Sequence, residues 1–327
     1  MDPLWALRQV AFQLERAGEP TYRVRAFRKA AEVVAALPDG EVERRVAAGT
    51  LTDLPGIGKA TAGVIADAVA GREPTYLSRF REPVVGGQAL RALLKGDCHT
   101  HSDWSDGGSP IREMAEAARD LGHSWMVLTD HSPRLTVANG LSADRLLRQL
   151  DVVAELNADL APFRILTGIE VDILDDGSLD QRPELLARLD VVVASVHSKL
   201  RMPAPEMTRR MVAAVANPHV DVLGHCTGRL VVGKGRPEST FDAEAVFSAC
   251  AEHGTAVEIN SRPERRDPPG RLLRLAVELG CTFSIDSDAH APGQLDWLSF
   301  GCERAEECGV TPDRVINTLE ADELLSR

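Results

Sequence analysis

The segment Gly96-Asp97-Cys98-His99-Thr100-His101-Ser102, with Ser105-Asp106-Gly107 just beyond it, ends a short strand-like run in two histidines and a carboxylate. A His-x-His pair alone is more often a surface turn than a metal site. The segment gains weight from its setting, because short apolar runs alternate with helical stretches from Gly96 onward, the pattern of an α/β domain. Seven runs read as strands: 96–100, 125–130, 164–172, 191–197, 221–226, 256–260 and 282–286. Amphipathic helices are expected between several of them, such as 111–121 and 141–156. Six of the nine histidines fall at these strand ends.

His131 follows Thr129-Asp130, Glu170 lies in the third run, and His197 and His225 end the fourth and fifth. Asp288-Ala289-His290 follows the seventh. In a parallel barrel the C-terminal strand ends converge on one face, where active sites form. So many imidazole and carboxylate donors could share a small space only with cations between them. Mixed nitrogen and oxygen donors suit Zn, Mn or Fe and not Ca or lone Mg. His123, His219 and His253 lie at helix ends or in loops and read as ordinary structural residues.

Outside this cluster the chain reads as soluble and globular, with 44% apolar and 26% charged residues. It holds no apolar run of the ~20 residues that span a bilayer and no secretory signal pattern, so a cytoplasmic location and no membrane partner are expected. The six cysteines are scattered without a Cys-x-x-Cys pair, which argues against a zinc ribbon or redox motif and for reduced thiols. Net charge is −12, split between +3 over residues 1–95 and −15 over the remainder. That split fits a weakly basic docking module joined to an acidic, cation-concentrating body. It equally fits two domains with different surfaces and no partner.

Residues 1–80 read as helical, with apolar residues at helical spacing from Leu4 to Leu14 and from Tyr22 to Leu37. Pro38-Asp39-Gly40 breaks that run, a short helix is expected over 41–48, and a last one over 60–69, closed by Gly71. Residues 81–95 read as a linker, leaving 96–327 as the α/β domain.

The motifs Gly96–Gly107, Thr129-Asp130-His131-Ser132, Ser195-Val196-His197-Ser198, Gly224-His225 and Asp288-Ala289-His290 together resemble the polymerase-and-histidinol-phosphatase (PHP) superfamily. Gly224-His225-Cys226-Thr227-Gly228-Arg229-Leu230 and Glu258-Ile259-Asn260 narrow the resemblance to the PHP domain of bacterial family X DNA polymerases. It covers residue 96 to about 300 and implies a distorted (β/α)7 PHP barrel with two or three divalent metal ions. By position, one ion takes His99, His101, Glu170 and Asp288, and Glu170 bridges to a second held by His197 and His225. A third takes Asp106, His131 and His290. Cys98 stands where an aliphatic residue is usual, and Cys226 where that polymerase group often has proline.

Leu54-Pro55-Gly56-Ile57-Gly58-Lys59 before a helix resembles a helix-hairpin-helix, and Thr21–Phe27 upstream extends the resemblance to the N-terminal domain of family X polymerases. The physical logic is a glycine turn that lets backbone N–H groups at a helix N-terminus approach a phosphate, with Lys59 adding charge. Gly56, Gly58 and Lys59 are the expected DNA contacts. In animal members a Schiff-base lysine lies in the following helix; here Val64 matches it, so lyase chemistry does not carry over. The linker is far too short for a polymerase palm between the two modules.

The expected activity is hydrolysis of phosphoesters at DNA ends, as a 3′–5′ exonuclease or 3′-end-processing phosphodiesterase in repair. Single-stranded, nicked or gapped DNA is the expected substrate, and Lys199 and Arg229 (with Arg201 nearby) are the expected holders of phosphate oxygens. Two rivals stand beside it: a small-molecule phosphatase of the histidinol-phosphatase kind, and a DNA-binding scaffold with a structural metal site.

Overall fold

The computed structural model describes residues 1–80 and 86–327, apart from the side chain of Arg79. The chain divides into two compact units, Met1–Val84 and Val85–Arg327. The first is helical: α1 (Pro3–Arg16), α2 (Thr21–Ala35), α3 (Glu41–Ala48) and α4 (Lys59–Val69). Asp2 caps α1, its carboxylate accepting from Leu4 N at 3.0 Å and Trp5 N at 3.3 Å. Leu7, Val10 and Leu14 of α1 pack on Phe27, Ala30 and Val34 of α2 and on Val64, Ile65 and Ala68 of α4. Glu15 is buried in this packing and is held by Arg28, whose Nη2 lies 2.6 Å away.

The second unit begins inside the stretch expected as linker. Arg81-Glu82-Pro83 lies outside the described residues, but α5 (Gln88–Arg91) is folded, and Leu90 and Leu94 are buried in the main core. Loop-like spacing at Gly86-Gly87 concealed an apolar pair that serves the barrel. Beyond it run β1 (Gly96–Thr100), α6 (Ile111–Asp120), β2 (Trp125–Leu128), α7 (Ala143–Leu160), β3 (Arg164–Asp172), α8 (Pro183–Leu186), β4 (Val191–Ser195) and α9 (Ala204–Val215). Then come β5 (Val222–Leu223), α10 (Ala243–His253), β6 (Ala256–Asn260), α11 (Gly270–Glu278), β7 (Phe283–Asp286), α12 (Leu298–Glu307) and α13 (Ala321–Leu324). No helix among the described residues is long and apolar enough to cross a membrane.

The seven strands are parallel in sequential order β1 to β7, forming a nearly closed α/β barrel. The seam between β7 and β1 is closed by side chains. Asn317 donates to Gly96 O at 3.1 Å and Ile285 O at 2.9 Å, and accepts from Ile285 N at 2.7 Å. Asp286 accepts from Cys98 N at 2.9 Å, and the Asp97 carboxylate accepts from Ser287 N at 3.3 Å. Burial, then the nearby Asp286 carboxylate, pushes the Asp97 carboxyl up from its ordinary value.

Strands β4 and β5 end earlier than their composition suggests, and for one reason. His197 N turns to the Asp172 carboxylate at 3.3 Å, and His225 N donates to Glu258, so the ladder stops where these histidines are aimed inward. Gly224 permits the second turn, since a Cβ there would lie 2.2 Å from Ser195 Oγ.

His123, just beyond α6, is buried, with Nε2 3.0 Å from Arg91 Nη2. Burial, then the Arg91 charge, pulls its pKa down to about 3. The unfolded chain takes up this proton near pH ~6.5 while the folded protein does not, so stability falls as pH drops from there towards the folded value. This residue alone should cost about 2 kcal/mol between neutral pH and about pH 5. His123→Gln keeps an acceptor for Arg91 and should lose that much less in urea titrations at the two pH values. Equal losses would remove His123 from the account.

Candidate metal centre

At the C-terminal ends of the strands the sequence-derived donors meet. His99 and His101 come from β1 and its exit, His131 follows β2, Glu170 lies in β3, and His197 and His225 follow β4 and β5. Asp288 and His290 follow β7. Glu170 is at the centre. Its Oε1 lies 3.1 Å from His197 Nε2 and 2.9 Å from His225 Nε2. Its Oε2 lies 2.9 Å from His131 Nδ1, 3.3 Å from His99 Nε2 and 3.6 Å from His101 Nε2. Asp106 Oδ1 is 3.5 Å from His131 Nε2 and 3.4 Å from His290 Nε2, and Asp288 Oδ1 is 3.6 Å from His101 Nε2.

Many of these donors are gathered without being satisfied. His99 Nε2, both ring nitrogens of His101, His131 Nδ1, Glu170 Oε2, His197 Nε2 and His225 Nδ1 are buried with no hydrogen-bond partner. Orphaned polar atoms at such density are costly unless something charged completes them. Among the described residues, three overlapping groups have donor atoms close enough to hold an ion: His101–Asp106–His131–His290, His99–His101–Glu170 and His131–Glu170–His197. The residues fit a cluster of divalent cations.

Electrostatics follow the same division. Burial favours a neutral Glu170, but the surrounding histidines hold it well below the usual carboxylate range. Burial lowers His99 and His197, yet Glu170 and their second carboxylates outweigh it, leaving His99 well above its ordinary value and His197 at about 9. At His101, burial and then His290 and His131 outweigh the support of Asp288 and drive it well down. Burial and Arg265 lower His225 to about 4.

Several residues that place the donors were not assigned roles from the sequence. Glu258 takes His99 Nδ1 at 2.6 Å, and Asp172 takes His197 Nδ1 at 3.0 Å, fixing which nitrogen of each ring faces inward. Asp130 accepts from Ser102 N at 2.8 Å and Gln149 Nε2 at 2.6 Å, anchoring the loop that carries Asp106. Asp288 has a left-handed backbone (φ 52°) and is gripped by Asn260 Nδ2 at 3.1 Å, Arg265 Nε at 3.1 Å and Arg262 Nη1 at 3.4 Å. Arg210, buried, ties Leu174 O at 2.9 Å and Ser198 O at 2.9 Å to α9. The signal for Glu258 was a lone carboxylate inside an apolar strand, and for Asp172 a second carboxylate two residues after Glu170 in β3.

The two phosphate-binding candidates are not drawn into the cluster. Arg229 donates to Arg265 O at 3.1 Å and also to Arg266 O, and Lys199 pairs with Asp175 on the exposed rim. Cys226 Sγ faces Asp267 at 3.8 Å, away from the donors. In the helical unit Gly56 has φ +93°, and Gly58 N donates to Thr61 Oγ1 at 2.9 Å, so that amide is already spent. Lys59 is exposed in the first turn of α4, beside a cleft of about 400 Å3 lined by Tyr22, Arg23 and Tyr76 among others. Val64 is buried in the core.

Neutralising Glu258 should loosen the site without emptying it. Glu258→Gln can still accept from His99 but loses the charge that fixes the ring, and Mn affinity should fall about tenfold in chelator competition. An unchanged affinity would show that His99 is held by packing alone.

A barrel whose C-terminal face gathers six histidines and two aspartates around a shared glutamate defines a metal-dependent phosphoric ester hydrolase. Residues 97–262 match the PHP domain family and residues 1–73 match a helix-hairpin-helix domain family. Over 224 residues the chain is 42% identical to the DNA polymerase/3′-5′ exonuclease PolX of Bacillus subtilis, covering 68% of this chain and 39% of that protein. It is 31% identical over 233 residues to a probable phosphatase of Thermoanaerobacter sp. strain X514, covering 68% of this chain and 89% of the phosphatase. Among solved structures, histidinol phosphate phosphatase from Lactococcus lactis, complexed with zinc, L-histidinol and phosphate, superposes with a TM-score of 0.48 at 19% identity. That superposition covers 66% of this chain and 94% of the phosphatase. The chain belongs to the PHP family, whose domains bind several divalent metal ions.

Proposed function

We propose that this protein hydrolyses phosphodiesters at DNA ends, removing or trimming 3′-terminal nucleotides. The carrying observation is the joining of a PHP metal centre to a helix-hairpin-helix unit in one chain. The 42% identity to a protein named as a 3′-5′ exonuclease supports the same reading.

Two or three ions of Mn, Zn or Fe fit the donor set. His99, His101, Glu170 and Asp288 would hold one, and Glu170, His197 and His225 a second. Asp106, His131 and His290 would hold a third. When bound, such ions neutralise phosphoryl charge and acidify water. The chain's own part is to aim and hold. Glu170 offers one oxygen to each of two histidine sets, while Glu258 and Asp172 fix the rings of His99 and His197. The Asp106 side chain is 36% exposed and that of His290 19%, against 1% for Glu170, so substrate enters past Asp106 and His290.

A phosphatase for small phosphomonoesters is the second reading, favoured by the probable phosphatase matched over 89% of its length. The purified protein with Mn separates them through kcat/KM on single-stranded and nicked 3′-labelled DNA, p-nitrophenyl phosphate and histidinol phosphate. DNA should be the best substrate, with mononucleotides released from the 3′ end. A preference for histidinol phosphate would hand the site to the second reading.

A further inference from the structure

The rim of the metal face is charged unevenly. The segments after β4, β5 and β6 (residues 196–203, 227–237 and 262–266) hold eight Lys or Arg and one Asp or Glu. The segments after β1 and β3 (residues 103–106 and 173–180) hold five Asp and no Lys or Arg. Residues 96–327 carry −15 in all; Lys199, Arg229, Arg262 and Arg265 pair with carboxylates, and the remaining cations of this half stand against the charge of their own domain.

The β5 and β6 segments are joined into one wall. Val231 N donates to Glu264 O at 2.7 Å, while Arg229 reaches across to Arg265 O at 3.1 Å and to Arg266 O. Leu230 and Arg236 pair as a short antiparallel bridge, which projects Val231, Val232 and Lys234 into solvent. Val231 and Val232 are 49% and 61% exposed, unusual for adjacent apolar residues unless something covers them. Arg266 is exposed beside them, and neither it nor Lys234 has an ion-pair partner among the described residues. At its base the wall meets the metal centre through Arg265, 3.1 Å from Asp288 Oδ2. Arg229 thus acts as a staple in the wall, and the outward cations are those it positions.

We propose that this joined β5–β6 wall is the docking surface for the nucleic-acid strand that leads into the metal centre. Phosphates adjoining the scissile one lie along Arg266 and Lys234, and the Val231-Val232 tip takes apolar sugar and base surface. The inference rests on the reading of the centre as a DNA phosphoesterase. A small phosphomonoester at the metals does not reach the tip, so only a strand gains from it.

The test uses the full chain with Mn and the double variant Lys234→Ala/Arg266→Ala, with Lys234→Ala alone as a lesser change at an exposed side chain. For the double variant, kcat/KM on a labelled single-stranded oligonucleotide should fall at least about tenfold, with bis-p-nitrophenyl phosphate unaffected. Losing two phosphate contacts should also reduce the slope of log kcat/KM against log salt by about 1.4. Unchanged oligonucleotide hydrolysis and salt slope would overturn the proposal while leaving the DNA reading intact. Equal losses on both substrates would overturn it as well, because the residues would then be supporting the centre. If the parent protein cleaves the chromogenic ester and no oligonucleotide, the DNA reading fails and the docking wall fails with it.

Discussion

Glu170→Gln is expected to fold, to lose most of its bound metal, and to hydrolyse every phosphoester at least about 10³-fold more slowly. Glutamine preserves volume at a position only 1% exposed, so the core around β3 is not opened. What changes is chemistry at both oxygens. One oxygen faces His197 and His225 at 3.1 and 2.9 Å, and the other faces His131 and His99 at 2.9 and 3.3 Å. An amide leaves one side with a poor neutral ligand and the other with an N–H2 group that cannot ligate. It also deletes the one anion that all four of these rings share. Asp106 and Asp288 remain at the edges, so residual metal at the outer donors is expected, without activity. Elemental analysis and rates on p-nitrophenyl phosphate check both halves. Full metal occupancy with full activity in Glu170→Gln would end the account of Glu170 as the bridging ligand.

The sequence displayed the donors of this centre more clearly than the groups that position them. Each histidine donor ends a run of strand-like residues, so its place on the barrel's C-terminal face came from counting strands. Glu258 and Asp172 sit within strands, and their partners lie 159 and 25 residues away in sequence. An apolar strand around such a carboxylate marks it as buried, but nothing local names the ring it holds. Arg229 illustrates the converse. A conspicuous arginine after a ligand strand suggested a phosphate contact, but its guanidinium is spent on the carbonyls of the β6 segment. Where a long side chain goes depends on a loop brought in by the fold, and no spacing encodes that. The short β5 has the same origin, because the His225 amide, two residues beyond its end, goes to the side chain of Glu258 instead of a neighbouring strand. Residues 88–95 read as linker because four-residue α5 is too short for helical periodicity to show.

Removing the helical unit should cost about 100-fold in kcat/KM on DNA while leaving a chromogenic ester untouched. The two units have separate cores: one is built from residues between Ala6 and Ala68, the other from Leu90 onward. A chain beginning at Gly86 therefore keeps its whole core, including Leu90 and Leu94. Two charge-assisted phosphate contacts, at about 1.5 kcal/mol each, account for the size of the loss. They should leave a salt dependence on duplex ends whose slope falls by about 1.8 in the truncation. Point substitution offers a finer probe, and the two glycines of the turn are not equivalent. Gly56 has φ +93°, and a Cβ there would lie 3.0 Å from Lys29 Cγ, so any side chain disturbs folding before it disturbs binding. Gly58 has φ −97°, and a Cβ would meet nothing within 4 Å. Gly58→Val should therefore fold normally and place its methyls over the first turn of α4, where a phosphate would approach Lys59. Selective loss on DNA in both the truncation and Gly58→Val assigns this unit to substrate binding. A truncation that loses on DNA beside a Gly58→Val variant that does not would move the contact elsewhere on the unit. Equal losses on DNA and ester would leave the helical unit a structural role only.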